Sequence, residues 1–231
     1  MPFLFDPTFI ILIPAILLAL FAQSRVQSTF NKYSKVVSQS AKTGAQVATD
    51  LLRSKGLDDV KVEQVRGNLT DHYDPRTKTL RLSEKIYGSS SLAALGIAAH
   101  EVGHAFQHSE EYGPLKLRSS IIPATNIGSK LAFPLLLVGL LFNQPTLALI
   151  GVLAFSLAVL FQLVTLPVEY NASSRALEAL ETGGYLNRDE ISQTSKVLNA
   201  AALTYVAATI MAVMQLLRLL LISGLLGGRR R

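Results

Sequence analysis

The stretch SLAALGIAAHEVGHAFQH, Ser91–His108, is a run of Leu, Ala, Ile and Gly into which His100, Glu101 and His104 are set. Its composition predicts a helix, and within it stands H-E-x-x-H. Helical geometry brings residues four apart onto one face. His100 and His104 then point the same way and can ligate one Zn²⁺, with Glu101 beside them. A wet helix face would have polar flanks. Here Leu92, Leu95, Ile97 and Ala98 precede the motif, and Val102, Ala105 and Phe106 surround it. Three polar groups inside an apolar helix are costly to bury without a partner, and a metal supplies that partner. Glu101 can take a proton from a zinc-bound water, whose pKa the metal lowers to about 7. These residues predict zinc-dependent peptide hydrolysis.

The rest of the chain says where such a helix works. Of 231 residues, 49% are hydrophobic and only 16% charged, against roughly 25% charged in soluble domains. That deficit points to a lipid bilayer, with room for one domain plus membrane spans or at most two small domains. The net charge is +6, and three of the cations are the terminal Arg229, Arg230 and Arg231. This balance fits anionic headgroups. No aromatic-basic stripe appears, so no nucleic-acid partner is expected. The chain has no cysteine, which excludes disulfides and thiolate ligands. The single zinc must be held by histidine and carboxylate.

Along the chain, residues 1–22 read as a membrane anchor. Phe3–Ala22 is apolar apart from Asp6, lacks a positive leading region and has no clean cleavage site, so it is expected to be retained. Residues 23–120 form the catalytic portion. Val26–Lys55 is expected to be one amphipathic helix ending at Gly56. Val60–Val65 alternates like a strand, and Leu69–Tyr73 and Lys78–Leu82 flank the turn signal Asp74-Pro75-Arg76-Thr77. A sheet here would offer an edge to an extended peptide. Residues 121–166 form a membrane hairpin. Ile121–Phe142 is interrupted by Pro123 and Pro134, Asn143–Pro145 is a tight turn, and Thr146–Leu166 is an uncharged span closed by Pro167. Residues 167–202 are a more polar helical segment. Residues 203–231 hold the last apolar stretch, which carries Arg218, and the basic tail.

A catalytic zinc needs a third protein ligand and an open position. His108 is excluded as that ligand, because its eight-residue separation from His100 is about 12 Å of helical rise. A third His brought round by H-E-x-x-H-x-x-G-x-x-H would need a Gly where Gln107 stands. His72, Glu110 and Glu111 lie nearby, but topology selects Glu169. The hairpin returns the chain to the side of the bilayer on which the H-E-x-x-H helix lies, and Glu169 emerges there, at the start of a helix behind Pro167. A carboxylate at or near membrane depth is expensive and usually functional.

At these residues the chain resembles the YugP-like bacterial membrane zinc metallopeptidases, through H-E-V-G-H-A-x-Q-H at His100–His108 and P-V-E-[YF]-N-A-S at Pro167–Ser173. The resemblance covers essentially the whole chain. More distantly the chain is similar to HtpX-like peptidases, whose E-x-x-A-D motif would place its ligand at Glu169 and its Ala at Ala172. Ser173 stands where that group has an Asp that orients a ligand, and its hydroxyl can still hydrogen-bond one. The fold expected is α+β and mainly helical: an integral membrane protein with a zincin-like H-E-x-x-H helix, a small β-sheet and about four membrane segments.

The expected reaction is hydrolysis of a peptide bond by a gluzincin-type endopeptidase. His100, His104 and Glu169 hold Zn²⁺, and Glu101 passes the water's proton to the leaving amine. Tyr170, Asn171, Arg175, His72 and Tyr205 are candidates for a second oxyanion stabiliser. The substrate is expected to be a membrane or membrane-proximal protein. Arg25, Lys32, Lys35, Lys116, Arg118 and Arg175 lie on the domain side, whereas the amino-terminal tail and the Asn143–Pro145 turn carry no cation. The positive-inside rule then puts the site on the cytoplasmic side of the bacterial inner membrane. Arg229–Arg231 oppose this if the last segment spans fully, and Arg218 would suit a shallow or tilted helix. A catalytically silent zinc scaffold or chaperone is the rival reading, against which an intact Glu101 counts. A transporter is less consistent with so few spans and so large a polar portion.

Overall fold

The computed structural model describes residues 7–68 and 70–225. Asp6, Leu69 and the Arg229–Arg231 tail lie outside the described residues. The chain is a mainly helical α+β membrane protein. A 3-10 turn (Pro7–Leu12) leads into α1 (Ile13–Tyr33), followed by α2 (Gly44–Ser54). Strands β1 (Lys61–Val65), β2 (His72–Asp74) and β3 (Thr79–Ser83) come next, then a short α3 (Glu84–Tyr87) and α4 (Leu92–Ser109). Three long helices complete the chain: α5 (Gly113–Leu141), α6 (Pro145–Thr182) and α7 (Arg188–Ile222). Among the described residues, four helical segments are long and apolar enough to cross a membrane: Pro7–Tyr33, Gly113–Leu141, Pro145–Thr182 and Arg188–Ile222.

The described residues form two compact units. The first contains residues 7–22, 117–166 and 204–225. Leu17, Phe21, Ile127, Phe133, Leu153 and Leu163 are exposed on it, the outward apolar surface that lipid requires. Inside, Leu136, Ala148, Val152 and Leu219 form a small cluster. Small residues let α5 and α6 approach closely. A Cβ on Gly151 would stand 2.7 Å from the Leu136 nitrogen and 2.8 Å from the Ala132 carbonyl. The turn between them is tight, with Asn143 at φ +49°.

The second unit, residues 23–116 and 167–203, carries the H-E-x-x-H helix at its centre. Ser91 caps α4 by accepting from the Ala94 N–H at 3.3 Å. Leu92, Ala94, Leu95, Ala98 and Val102 of this helix are fully buried. They pack with Val47, Leu51 and Leu52 of α2, Leu80 and Leu82 of β3, and Leu180 and Leu198 of α6 and α7. The sheet has the order β1-β3-β2, with β1 parallel and β2 antiparallel to β3. The strands expected on either side of the Asp74–Thr77 turn signal are present as β2 and β3, paired as a hairpin. Its turn is held by Asp74, which accepts from the Arg76 N–H at 3.0 Å and the Thr77 hydroxyl at 2.8 Å.

Two expectations need correction. Val26–Lys55 is not one helix: α1 stops at Tyr33 and α2 starts at Gly44. Between them the chain runs beside the start of α4, where Ser38 N donates to Ser90 O (2.9 Å) and Leu92 N to Val36 O (2.9 Å). Thr43 and Gln46 then close a capping box that starts α2. Nor does Pro167 close a helix, because α6 continues from Pro145 to Thr182 with Pro167 inside it. Proline costs one backbone bond, and packing over the rest of α6 outweighs that loss. Glu169 therefore lies within a helix and not at a helix N-terminus.

Candidate metal centre

Three side chains from two helices meet in the second unit. His100 and His104 project from one face of α4, and Glu169 of α6 points between them. Glu169 Oε2 is 3.3 Å from His100 Nε2 and 3.5 Å from His104 Nε2. One ligand atom from each of the three residues lies within 4.8 Å of the others. Ligands about 2.05 Å from a tetrahedral zinc stand about 3.3 Å apart. The carboxylate–imidazole spacings match that edge and exceed the 2.7–2.9 Å usual for a charge-assisted hydrogen bond. Both carboxylate–imidazole pairs therefore fit ligands of one zinc ion. Glu169 is only 2% exposed, and a buried carboxylate facing two imidazoles calls for a cation.

The electrostatics agree. Burial by itself would lower the proton affinity of His104, but the Glu169 hydrogen bond and the charges of Glu101 and Glu169, with Gln107, outweigh it and raise the pKa above its ordinary value. A field that favours a proton there equally favours a metal cation in its place.

Close approach of the two helices makes the cluster possible. A Cβ on Gly103 would lie 2.5 Å from the Ala172 carbonyl oxygen, so α4 and α6 touch backbone to backbone one residue from His104. Gly103→Ala would normally favour a helix by about 1 kcal/mol. Here it is expected to destabilise by about 1–3 kcal/mol through overpacking and to lower zinc affinity by moving Glu169 from the histidines. Thermal unfolding and a zinc titration check both; a variant at least as stable, with unchanged affinity, would refute the contact.

Around the cluster, His100 Nδ1 is 3.1 Å from Ser173 Oγ and His104 Nδ1 is 3.0 Å from Gln107 Oε1. Gln107 is fully buried and donates from Nε2 to Val168 O at 2.8 Å and Asn171 Oδ1 at 2.9 Å. Glu101 Oε2 accepts from the Tyr73 backbone N–H of edge strand β2 at 3.1 Å. This engages one donor on the edge considered for an added peptide.

His108 stays out of the cluster: its Nδ1 is 2.9 Å from the Tyr73 hydroxyl. Burial, with the charges of Asp59 and Asp74, pushes the Tyr73 phenol up to about 12, so it remains neutral. Among the oxyanion candidates, His72 Nδ1 pairs with Thr70 O at 2.8 Å and Tyr170 is exposed. Asn171 and Arg175 bond each other at 2.7 Å.

Tyr73 and Gln107 are the residues that sequence reasoning missed. Gln107 lies three positions after His104, on the same helical face, which was the available signal. A backbone donor such as Tyr73 N leaves no trace in residue identity.

Against known proteins, the family described as "Putative neutral zinc metallopeptidase" matches residues 8–224. A Bacillus subtilis (strain 168) protein described as "Putative membrane protease YugP" is 50% identical over 210 residues, 91% of this chain and 93% of that protein. No solved structure matches the chain.

Proposed function

The chain belongs to the neutral zinc metallopeptidase family, and from that premise we propose that it is a membrane-embedded, gluzincin-type zinc endopeptidase. Its metal would be held by His100, His104 and Glu169. The observation that carries this reading is the Glu169 carboxylate oxygen, 3.3 and 3.5 Å from the two histidine nitrogens. Zinc bound there would supply Lewis acidity, which lowers the pKa of a bound water to about 7 and can polarise a carbonyl. Glu101 accepts the proton of the attacking water on its carboxylate and returns it to the departing amine. The Tyr73 N–H, 3.1 Å from Glu101 Oε2, holds that carboxylate in place.

Membrane or juxtamembrane proteins are the proposed substrates. Glu169 comes three residues after Leu166 in the same helix that carries the apolar stretch, so the proposed ligand follows directly on a membrane segment, which favours substrates that lie at the bilayer. The cytoplasmic side of a bacterial inner membrane is proposed from Arg25, Lys32, Lys35, Lys116, Arg118 and Arg175.

Metal analysis and a casein-type assay on the detergent-purified full chain test the function. One zinc per chain is expected, with cleavage that a chelator abolishes and added zinc restores. A chain that binds no zinc, or a zinc-loaded chain that cleaves neither casein nor membrane-protein fragments, would overturn the proposal.

A further inference from the structure

A chain of groups behind His104 has no freedom in its hydrogen bonding, and from it we infer that Arg175, through Asn171 and Gln107, sets the tautomer of His104. Arg175 has a single possible role. A guanidinium nitrogen donates and never accepts. Arg175 Nε lies 2.7 Å from the Asn171 side-chain amide, so the atom facing it is oxygen. That same Oδ1 is 2.9 Å from the amide end of Gln107, which must then be nitrogen. The Val168 carbonyl, 2.8 Å from the same atom, can only accept and demands nitrogen as well. Gln107 therefore turns its oxygen toward His104 Nδ1, at 3.0 Å.

An amide oxygen only accepts, so His104 carries its proton on Nδ1. Nε2, which faces Glu169 Oε2, is then the nitrogen available to a metal. This is the form a zinc ligand needs. Amide orientations are ordinarily a matter of choice; here two donor-or-acceptor-only groups, Arg175 and Val168 O, remove the choice.

Arg175 is itself anchored. Its Nη1 donates to Glu110 Oε2 at 2.6 Å, at the end of α4, and its guanidinium lies 5.9 Å from the centre of the Tyr112 ring. His100 differs in kind, since its Nδ1 partner is the Ser173 hydroxyl, which can donate or accept. His104 is thus the ligand whose proton is dictated from outside the cluster. Gln107, Asn171 and Arg175 are positioning residues, and none need touch substrate.

The inference rests on the zinc reading of the site. Its test is a set of full-length variants in detergent. Zinc affinity is measured by chelator competition, the visible spectrum after cobalt substitution, and the His104 tautomer by ¹⁵N shifts of the ring. Arg175→Met lets Asn171 turn its nitrogen toward Gln107, in competition with the Val168 carbonyl that still holds the Gln107 amide, and is expected to weaken zinc binding about 10–100-fold, shift the cobalt bands and mix the tautomers. Asn171→Asp offers oxygen in either orientation, so the double variant Arg175→Met/Asn171→Asp is expected to recover most of the affinity and the single tautomer. A purely structural role for Arg175 would not be rescued by a change at position 171. Unchanged affinity and spectrum in Arg175→Met, or no recovery in the double variant, would overturn the inference and leave the zinc site standing. A wild-type chain that binds no zinc would overturn both.

Discussion

Glu101→Gln is expected to retain one zinc per chain and to lower turnover by about 10²–10⁴-fold, the range of general acid–base catalysis. The substitution is nearly isosteric. Its amide oxygen can still accept from the Tyr73 N–H that holds Oε2 at 3.1 Å, so the side chain should keep its place. What it loses is the ability to take up a proton. Glu101 is also not among the three residues whose donor atoms converge, so metal content should not follow activity down. Parallel zinc analysis and casein cleavage separate the two quantities. A variant that still cleaves at more than about a tenth of the wild-type rate would remove Glu101 as the base. A variant that loses zinc would make it a ligand or a support for one.

Glu169→Ala should have the opposite signature, with metal and activity lost together. The carboxylate is 2% exposed and faces both imidazoles. Removing it takes away one of three donors and the negative charge that favours a cation. Changes to residues that merely orient a ligand cost about 10–100-fold in affinity, and loss of a ligand should cost at least about 100-fold. The fold should survive, because the core around Leu92, Leu95 and Leu180 does not depend on this side chain. Circular dichroism and chelator competition on the same sample give the answer. Wild-type zinc affinity in a folded Glu169→Ala chain would exclude Glu169 from the metal centre.

Much of the fold was legible because it depends on local pattern. The apolar stretches that became α5, α6 and α7 exceed the length needed to span, and the Asp74–Thr77 turn joins β2 to β3. Errors arose where a distant partner outweighed a local signal. Residues 34–43 leave the helical path because their backbone pairs with residues 90–92, far ahead in the chain. Pro167 failed as a helix stop because one lost hydrogen bond is small against the packing of a 38-residue helix.

The sequence by itself determined the pair of imidazoles on one helical face, the exclusion of thiolate ligands and the four apolar segments, since each follows from residue type, count and local period. Only the tertiary structure decided where the Glu169 carboxylate lies, 65 residues after His104, and which way the amides of Gln107 and Asn171 face. Both depend on α4 and α6 meeting at Gly103 and Ala172. A contact between two backbones is set by their joint packing and is not written in the period of either helix.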